Sequence, residues 1–149
     1  MSASAAALFS VLSASPASAA SAELINVQTL MCATTYGGSN SNGAFVTQWN
    51  CNGGSTQQWD WNNGRIVHVA SGRCLTPYGG SSANGAQLVI WDCGSGNEWQ
   101  QWSANANGVV NRASNKFITT YGGSGGAGAN LVQWQLTTDN RAHDWQLSY

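Results

Sequence analysis

Charge is what this sequence has least of. Asp, Glu, Lys and Arg together make up 7% of the 149 residues, against ~25% in an ordinary soluble domain. Five basic residues and a net charge of −1 leave no electrostatic footprint for a phosphate backbone, which argues against a nucleic-acid partner. Apolar runs of roughly 18 residues are also missing, so there is no conventional membrane span. Proline occurs twice, and no stretch sustains an i, i+3, i+4, i+7 apolar pattern, so helices should be short or absent. What is present is 18 Gly, eight Trp and 42% hydrophobic residues. That is enough apolar surface to build a core and argues against disorder. The length suits one domain.

Residues 1–22 are small and apolar. Ala5 to Leu12 gives a short hydrophobic stretch, and Ala17-Ser18-Ala19 and Ala20-Ser21-Ala22 both fit the small-x-small cleavage pattern of a secretory signal. A basic n-region is lacking, since the first Arg is Arg65; an Ala/Ser tail is the plainer alternative. The expectation is a signal-like segment over 1–22 and a secreted, extracellular domain over 23–149. Cysteine usage agrees. Cys32 and Cys51, and again Cys74 and Cys93, are nineteen positions apart. Four cysteines allow three connectivities, and the repeated separation favours Cys32–Cys51 and Cys74–Cys93. Each bridge would close a loop of about 20 residues, worth roughly 3 kcal/mol on the chain-entropy model. A zinc site is the rival reading, but no CxxC or close His spacing supports it.

Internal repetition is the strongest signal. Cys32-Ala-Thr-Thr-Tyr-Gly-Gly-Ser aligns with Cys74-Leu-Thr-Pro-Tyr-Gly-Gly-Ser and Phe117-Ile-Thr-Thr-Tyr-Gly-Gly-Ser, in steps of 42 and 43 residues. The same register aligns Trp49, Trp91 and Trp134, and then Trp59, Trp102 and Trp145. Asn42-Gly43 and Asn84-Gly85 read as tight hairpin turns, with Ala127-Gly128 a weaker third. Val46, Leu88 and Leu131 share one apolar position and read as core. Period-2 alternation puts the Trp three residues later on the opposite, outer face. Three such units should pack around a shared pseudo-threefold axis. Three blades are too few for a propeller, and a closed three-lobed barrel fits better.

With Gln57-Gln58-Trp59, Gln100-Gln101-Trp102 and the degenerate His143-Asp144-Trp145 in phase with the cysteines, the chain resembles the ricin B-type lectins. These are carbohydrate-binding modules with a Gln-x-Trp motif, and the match spans about residues 25–149. The resemblance implies an all-β fold: a β-trefoil of three ~42-residue repeats with pseudo-threefold symmetry, twelve strands and up to three sugar sites. It implies that Trp59, Trp102 and Trp145 pack the core and that Gln57 and Gln100 are structural hydrogen-bonding residues. It also makes Trp49, Trp91 and Trp134 the platforms for one face of a sugar ring. Plain packing is the alternative role for these three.

The polar set departs from the family. Sugar-binding members carry Asp two residues after the first Cys; here Thr34, Thr76 and Thr119 stand there. The Gln expected before the platform is Thr47, Val89 and Val132, and the Asn expected before Gln-x-Trp is Thr56, Trp99 and Ala142. A neutral hydroxyl makes weaker hydrogen bonds than a carboxylate, so galactose specificity does not carry over. Tyr36, Tyr78 and Tyr121 recur instead, each followed by Gly-Gly-Ser. The candidate site of each copy is therefore its Thr, Tyr and hairpin Trp; the alternative is that Tyr and Gly-Gly only shape the loop.

Nothing points to catalysis. Glu23, Asp60, Asp92, Glu98, Asp139 and Asp144 do not recur at one place in the three copies, whereas glycoside hydrolysis needs two facing carboxylates. His68 and His143 lie at non-equivalent positions. No nucleophile motif, phosphate loop or metal cluster is seen, so no cofactor or metal is expected. The reading is a secreted, non-enzymatic lectin that binds glycans or polysaccharides, acting as a monomer that touches a polymer at several points. A β-trefoil protease inhibitor, or an extracellular structural or adhesive protein with decayed sugar sites, is the alternative.

Overall fold

The computed structural model describes residues 21–137 and 143–148; most of the signal-like segment, together with Asp139 and Ala142, lies outside them. Twelve strands follow one another among the described residues, four per copy. The first copy holds β1 (Ala22–Asn26), β2 (Met31–Thr35), β3 (Val46–Asn50) and β4 (Gln58–Asn62). The second holds β5 (Arg65–His68), β6 (Arg73–Pro77), β7 (Leu88–Trp91) and β8 (Trp102–Asn105). The third holds β9 (Gly108–Asn111), β10 (Phe117–Thr120), β11 (Leu131–Trp134) and β12 (Trp145–Ser148). Short 3-10 turns are the only helical pieces among the described residues. The architecture is the all-β trefoil.

Pairing is antiparallel throughout. The first and last strands of the copies build the barrel, through β12–β1, β1–β4, β4–β5 and β8–β9. The Trp102 amide donates to the Gly64 carbonyl and joins the second copy to itself across the barrel. The middle strands form three hairpins, β2–β3, β6–β7 and β10–β11, that cap one end. Their registers match: Cys32 faces Trp49, Cys74 faces Trp91 and Phe117 faces Trp134. The threefold repeat of the sequence is thus a threefold repeat of backbone pairing.

The core obeys the same symmetry. Leu24, Ile66 and Val109 form one layer; Ala33, Leu75 and Ile118 a second; Val46, Leu88 and Leu131 a third, all buried. Trp59, Trp102 and Trp145 are at most 1% exposed. Burying an indole of this size is worth about 4–6 kcal/mol at the usual area coefficient. The indole N–H of Trp59 donates to the Ala33 carbonyl and that of Trp102 to the Leu75 carbonyl, each at 3.0 Å. The motif glutamines are tied in as well. Gln57 accepts from the Asn52 amide at 2.8 Å and donates to the Asn50 carbonyl at 3.0 Å. Gln100 repeats this with Gly94 and Asp92.

Both disulfides are those favoured by the spacing, Cys32–Cys51 and Cys74–Cys93. In the third copy, where Phe117 and Leu136 replace the cysteines and His143 the motif Gln, Phe117 meets the buried His143 edge-on with centroids 6.0 Å apart. The capping turns differ from expectation. Asn42-Gly43 does not close a two-residue hairpin; it lies inside the ten-residue link between β2 and β3, residues 36–45. The Ala44 amide donates to the Ser41 carbonyl, and Gly43 has φ +84° while Asn42 does not enter the left-handed region. That is a type II arrangement, which requires glycine at its third position. The strand β1 starts at Ala22, which is buried against β4 opposite Trp59, one residue inside the expected signal segment.

Candidate functional site

Three clefts open at corresponding places between the hairpins and the Gln-x-Trp segments, one per copy. The first is lined by Thr34, Tyr36, Gly37, Trp49, Thr56 and Gly128, among others, and encloses about 470 Å³. The second, with Thr76, Tyr78, Gly79, Trp91, Asn97 and Trp99 among its lining, encloses about 320 Å³. The third, of about 330 Å³, is lined among the described residues by Thr119, Thr120, Gly122, Gly123 and Trp134. The Thr, Tyr and Trp singled out in the sequence therefore meet in the first two clefts. In the third, Thr119 and Trp134 meet and Tyr121 is not part of the lining. Among the described residues, no Asp, Glu, Lys or Arg lines any of the three.

Each Trp is placed by strand register and held by a neighbouring copy. Thr34 pairs with Thr47 and Cys32 with Trp49 on β2 and β3, so Thr and Trp share one face of the hairpin, and the other copies repeat this. The benzo ring of Trp91 lies against the Asn42-Gly43 turn of the first copy, Trp134 against Gly85 of the second, and Trp49 against Gly128 of the third. The turns are bonded there: the amides of Gly43, Gly85 and Gly128 donate to the carbonyls of Ile90, Gln133 and Gln48 at 2.7–2.8 Å. Buried Gln48 and Gln133 each send their side-chain amide to two carbonyls of the same neighbouring loops. With one side of each indole packed in this way, Trp49, Trp91 and Trp134 remain 39–49% exposed. Packing and presentation coexist in one side chain.

The tyrosines stand out from the surface. Tyr36, Tyr78 and Tyr121 begin 3-10 turns, and their amides close the hairpins onto Phe45, Gln87 and Asn130. Their rings are 59–73% exposed, so the backbone and not the phenol shapes the loop. The glycines that follow adopt positive φ; a Cβ at Gly37, Gly79 or Gly122 would meet nothing within 4 Å, so only the backbone conformation requires them there.

The threonines form the floor and are less available than the sequence suggested. Thr34 is half-buried, while Thr76 and Thr119 are buried. The Thr34 hydroxyl donates to the Thr56 carbonyl at 3.3 Å and that of Thr76 to the Trp99 carbonyl at 3.4 Å, both long contacts. Those two carbonyls are also reached from behind, by His68 Nε2 at 3.0 Å and by Asn111 Nδ2 at 2.7 Å. Because a carbonyl only accepts, His68 carries its proton on Nε2, and Nδ1 accepts from the Ser71 hydroxyl at 2.8 Å. Burial pushes the His68 pKa below its ordinary value, partly opposed by the bond to the Thr56 backbone. The ring is a neutral strut behind the first cleft.

Two features escaped the sequence reading. Trp99 lines the second cleft, where the other copies have Thr56 and Ala142; it was one of two tryptophans, with Trp61, outside the threefold register. Asp92, which has no acidic counterpart in the other copies, is paired with Arg73 at 3.3 Å and bonded to Asn42.

Residues 20–145 match the ricin-type β-trefoil lectin domain. No curated protein sequence matches significantly. Among solved structures, the designed threefold-symmetric protein ThreeFoil is similar at 26% identity and TM-score 0.77, over 87% of this chain and 98% of that one. The exo-β-1,3-galactanase 1,3Gal43A from Clostridium thermocellum is similar at 28% identity and TM-score 0.74, over 86% of this chain and 30% of the galactanase. The agglutinin of Abrus precatorius, at 22% identity and TM-score 0.73 over 86% of this chain and 48% of that one, shares the fold.

Proposed function

Since the chain belongs to the ricin-type β-trefoil lectin domain family, with the carbohydrate-binding role of that family, we propose that it is a secreted, non-catalytic module that holds uncharged glycans in its three clefts. The observation that carries this reading is the cyclic seating of Trp49, Trp91 and Trp134 on the turns of neighbouring copies. A rigid, half-exposed indole suits the apolar C–H face of a pyranose, and the polar floor and rim take its hydroxyls. Thr34, Thr76 and Thr119 supply the floor, and Tyr36 and Tyr78 the rim of the first two clefts.

Among the described residues the clefts present no carboxylate, which supports binding without hydrolysis and speaks against the charge-assisted recognition of galactosides. Three shallow sites on one rigid body gain affinity for a polymer through avidity. Two disulfides fit an oxidising compartment. Because Ala22 is already part of β1, the cut that suits the fold follows Ala19 and leaves Ala22 in the exported chain.

The test is retention of the oxidised domain on xylan, mannan, galactan, chitin and cell-wall beads. Retention on one polymer, released by its soluble oligosaccharide and weakened in Trp91→Ala and Tyr78→Ala, is expected. A domain retained by none would overturn the reading in favour of an inhibitor or scaffold, and a variant with Trp49, Trp91 and Trp134 all replaced by Ala that folds and binds as the parent does would overturn the placement of glycans in these clefts.

A further inference from the structure

The three clefts are not equivalent, and the difference lies in Trp99. Asn97 accepts the Trp99 amide through its side chain at 3.1 Å and so fixes the start of the 3-10 turn that carries the indole. The Gly80 backbone then lies along the pyrrole ring: a Cβ there would be 3.3–3.4 Å from Nε1, Cδ1 and Cε2 together. In the first copy the same place is filled only by the Thr56 methyl, 3.6 Å from the corresponding point on Gly38. The second cleft therefore has two indole walls, Trp91 and Trp99, with Tyr78 at the rim, and its volume is about 320 Å³ against about 470 Å³ in the first.

The turn beneath Trp91 is also held by a charged side-chain cluster. Asn42, in the turn beneath it, accepts from the Arg73 Nε at 2.7 Å and from the Asp92 amide at 2.8 Å, and donates to the Asp92 carboxylate at 2.9 Å. Arg73 reaches the Asn40 carbonyl as well. Under Trp134 the turn residue Asn84 keeps, among the described residues, the bond from the Gln135 amide at 2.9 Å, and uncharged Gln133 ties the loop through two carbonyls. Under Trp49 the turn residue is Ala127, which has no side chain to bond. A pre-ordered site loses less entropy on binding.

We infer that the second copy is the primary glycan site and that Trp99 sets its specificity, selecting a neutral pyranose chain whose ring substituents are all equatorial. The inference rests on the glycan-binding reading above. An all-equatorial pyranose carries its axial C–H bonds on both faces, so both indoles meet apolar surface. An axial C4 hydroxyl would turn oxygen toward one of them and leave it without a partner.

The experiment follows the eight indole N–H resonances of the ¹⁵N-labelled domain, assigned by single substitutions, during titration with cellotetraose, xylotetraose and β-1,4-galactotetraose. The Trp91 and Trp99 signals should saturate at a concentration at least tenfold below that which moves Trp49 and Trp134, with cellotetraose or xylotetraose ahead of galactotetraose. Trp99→Thr installs the residue of the first copy, is expected to fold, and should erase the tenfold gap. Saturation of Trp49 or Trp134 first would overturn the primacy of this cleft, and a gap that persists in Trp99→Thr would overturn the role of Trp99, while glycan binding stands in both cases. Galactotetraose binding more tightly at Trp91 and Trp99 would overturn the stated sugar class alone. A domain in which no oligosaccharide moves any indole, and which no polysaccharide bead retains, would remove the glycan reading itself.

Discussion

The indole of Trp91 rests on Gly43, a residue of the preceding copy: a Cβ at Gly43 would lie 3.4 Å from Trp91 Cζ3. The same glycine has φ +84°, a conformation that L side chains rarely adopt. Gly43→Ala therefore meets two costs. Backbone strain amounts to roughly 1–2 kcal/mol, and the new methyl comes into direct contact with the edge of the indole, so that any adjustment of the strained turn is passed to the ring. Gly79→Ala, at φ +65° with open space around it, meets only the first. Urea unfolding should show both variants destabilised, and only Gly43→Ala should alter the fluorescence of the native state and weaken glycan retention. Equal behaviour of the two would mean that the turn does not position Trp91.

The threefold core was legible in the sequence because every layer repeats: Leu24, Ile66 and Val109 recur at the step that relates Trp59, Trp102 and Trp145. The pairing of the cysteines was legible for the same reason. What the repeat could not reveal is what breaks it. Trp99 stands where Thr56 and Ala142 stand, and departure from a pattern reads as decay until the chain brings Gly80 and Trp91 beside it. The Arg73–Asn42–Asp92 cluster joins residues 31 and 50 positions from Asn42, a proximity that only the closure of the trefoil creates. The turn type was misjudged because Asn-Gly is shared by two-residue hairpins and type II turns; the contact with the neighbouring Trp selects the second.

Stability should fall in mild acid because of two buried histidines. Burial lowers the pKa of His68, opposed by its bond to the Thr56 backbone. Burial also lowers that of His143, opposed by the Ile118 backbone and by Asp144. The unfolded chain, with a pKa near 6.5, then binds protons that the folded chain refuses. Their contribution is fully present above about pH 6.5 and is lost as the pH falls toward the depressed folded values, by up to about 1.4 kcal/mol per pH unit for each ring. Urea midpoints at pH 7.5, 6.0 and 5.0 should decrease in that order. His68→Asn, which borrows Asn111 from the equivalent position, should flatten the slope. An unchanged slope in that variant would exclude His68 as its source.

The disulfides bear on the clefts as well as on the fold. Cys74 pairs in register with Trp91, and Cys32 with Trp49. Replacing Cys74 and Cys93 together by Ala should cost roughly 3 kcal/mol by the loop-entropy estimate and should also loosen the strand that presents Trp91. The double variant is thus expected to lose glycan retention at temperatures well below its unfolding transition. Replacing Cys32 and Cys51 should cost a similar amount of stability and leave the Trp99 resonance unmoved, whereas Trp91, seated on the Gly43 turn inside that loop, should shift in both variants. If both pairs affect the Trp99 resonance alike, the bridges act only through global stability.

At the end of the barrel that the hairpins cap, the copies meet on a single side chain. The amide of Gln87 donates toward the carbonyls of Val46, Leu88 and Leu131, at 3.2, 2.8 and 3.0 Å. These are the equivalent residues of the three copies, all buried, so their carbonyls converge on the pseudo-threefold axis. The counterparts of Gln87 are Phe45 and Asn130, and only one residue can occupy the axis. Gln87→Met keeps the length and volume and removes both N–H groups. Carbonyls that stay buried without a donor cost about 1–3 kcal/mol each, and water can reach some of them, so a net loss of about 2 kcal/mol is expected. For a domain of this size that corresponds to a fall in Tm of about 4–8 °C. Because Gln87 lines none of the three clefts, glycan affinity at a temperature where both proteins are folded should be unchanged. A variant as stable as the parent would mean that the three carbonyls are satisfied without this amide.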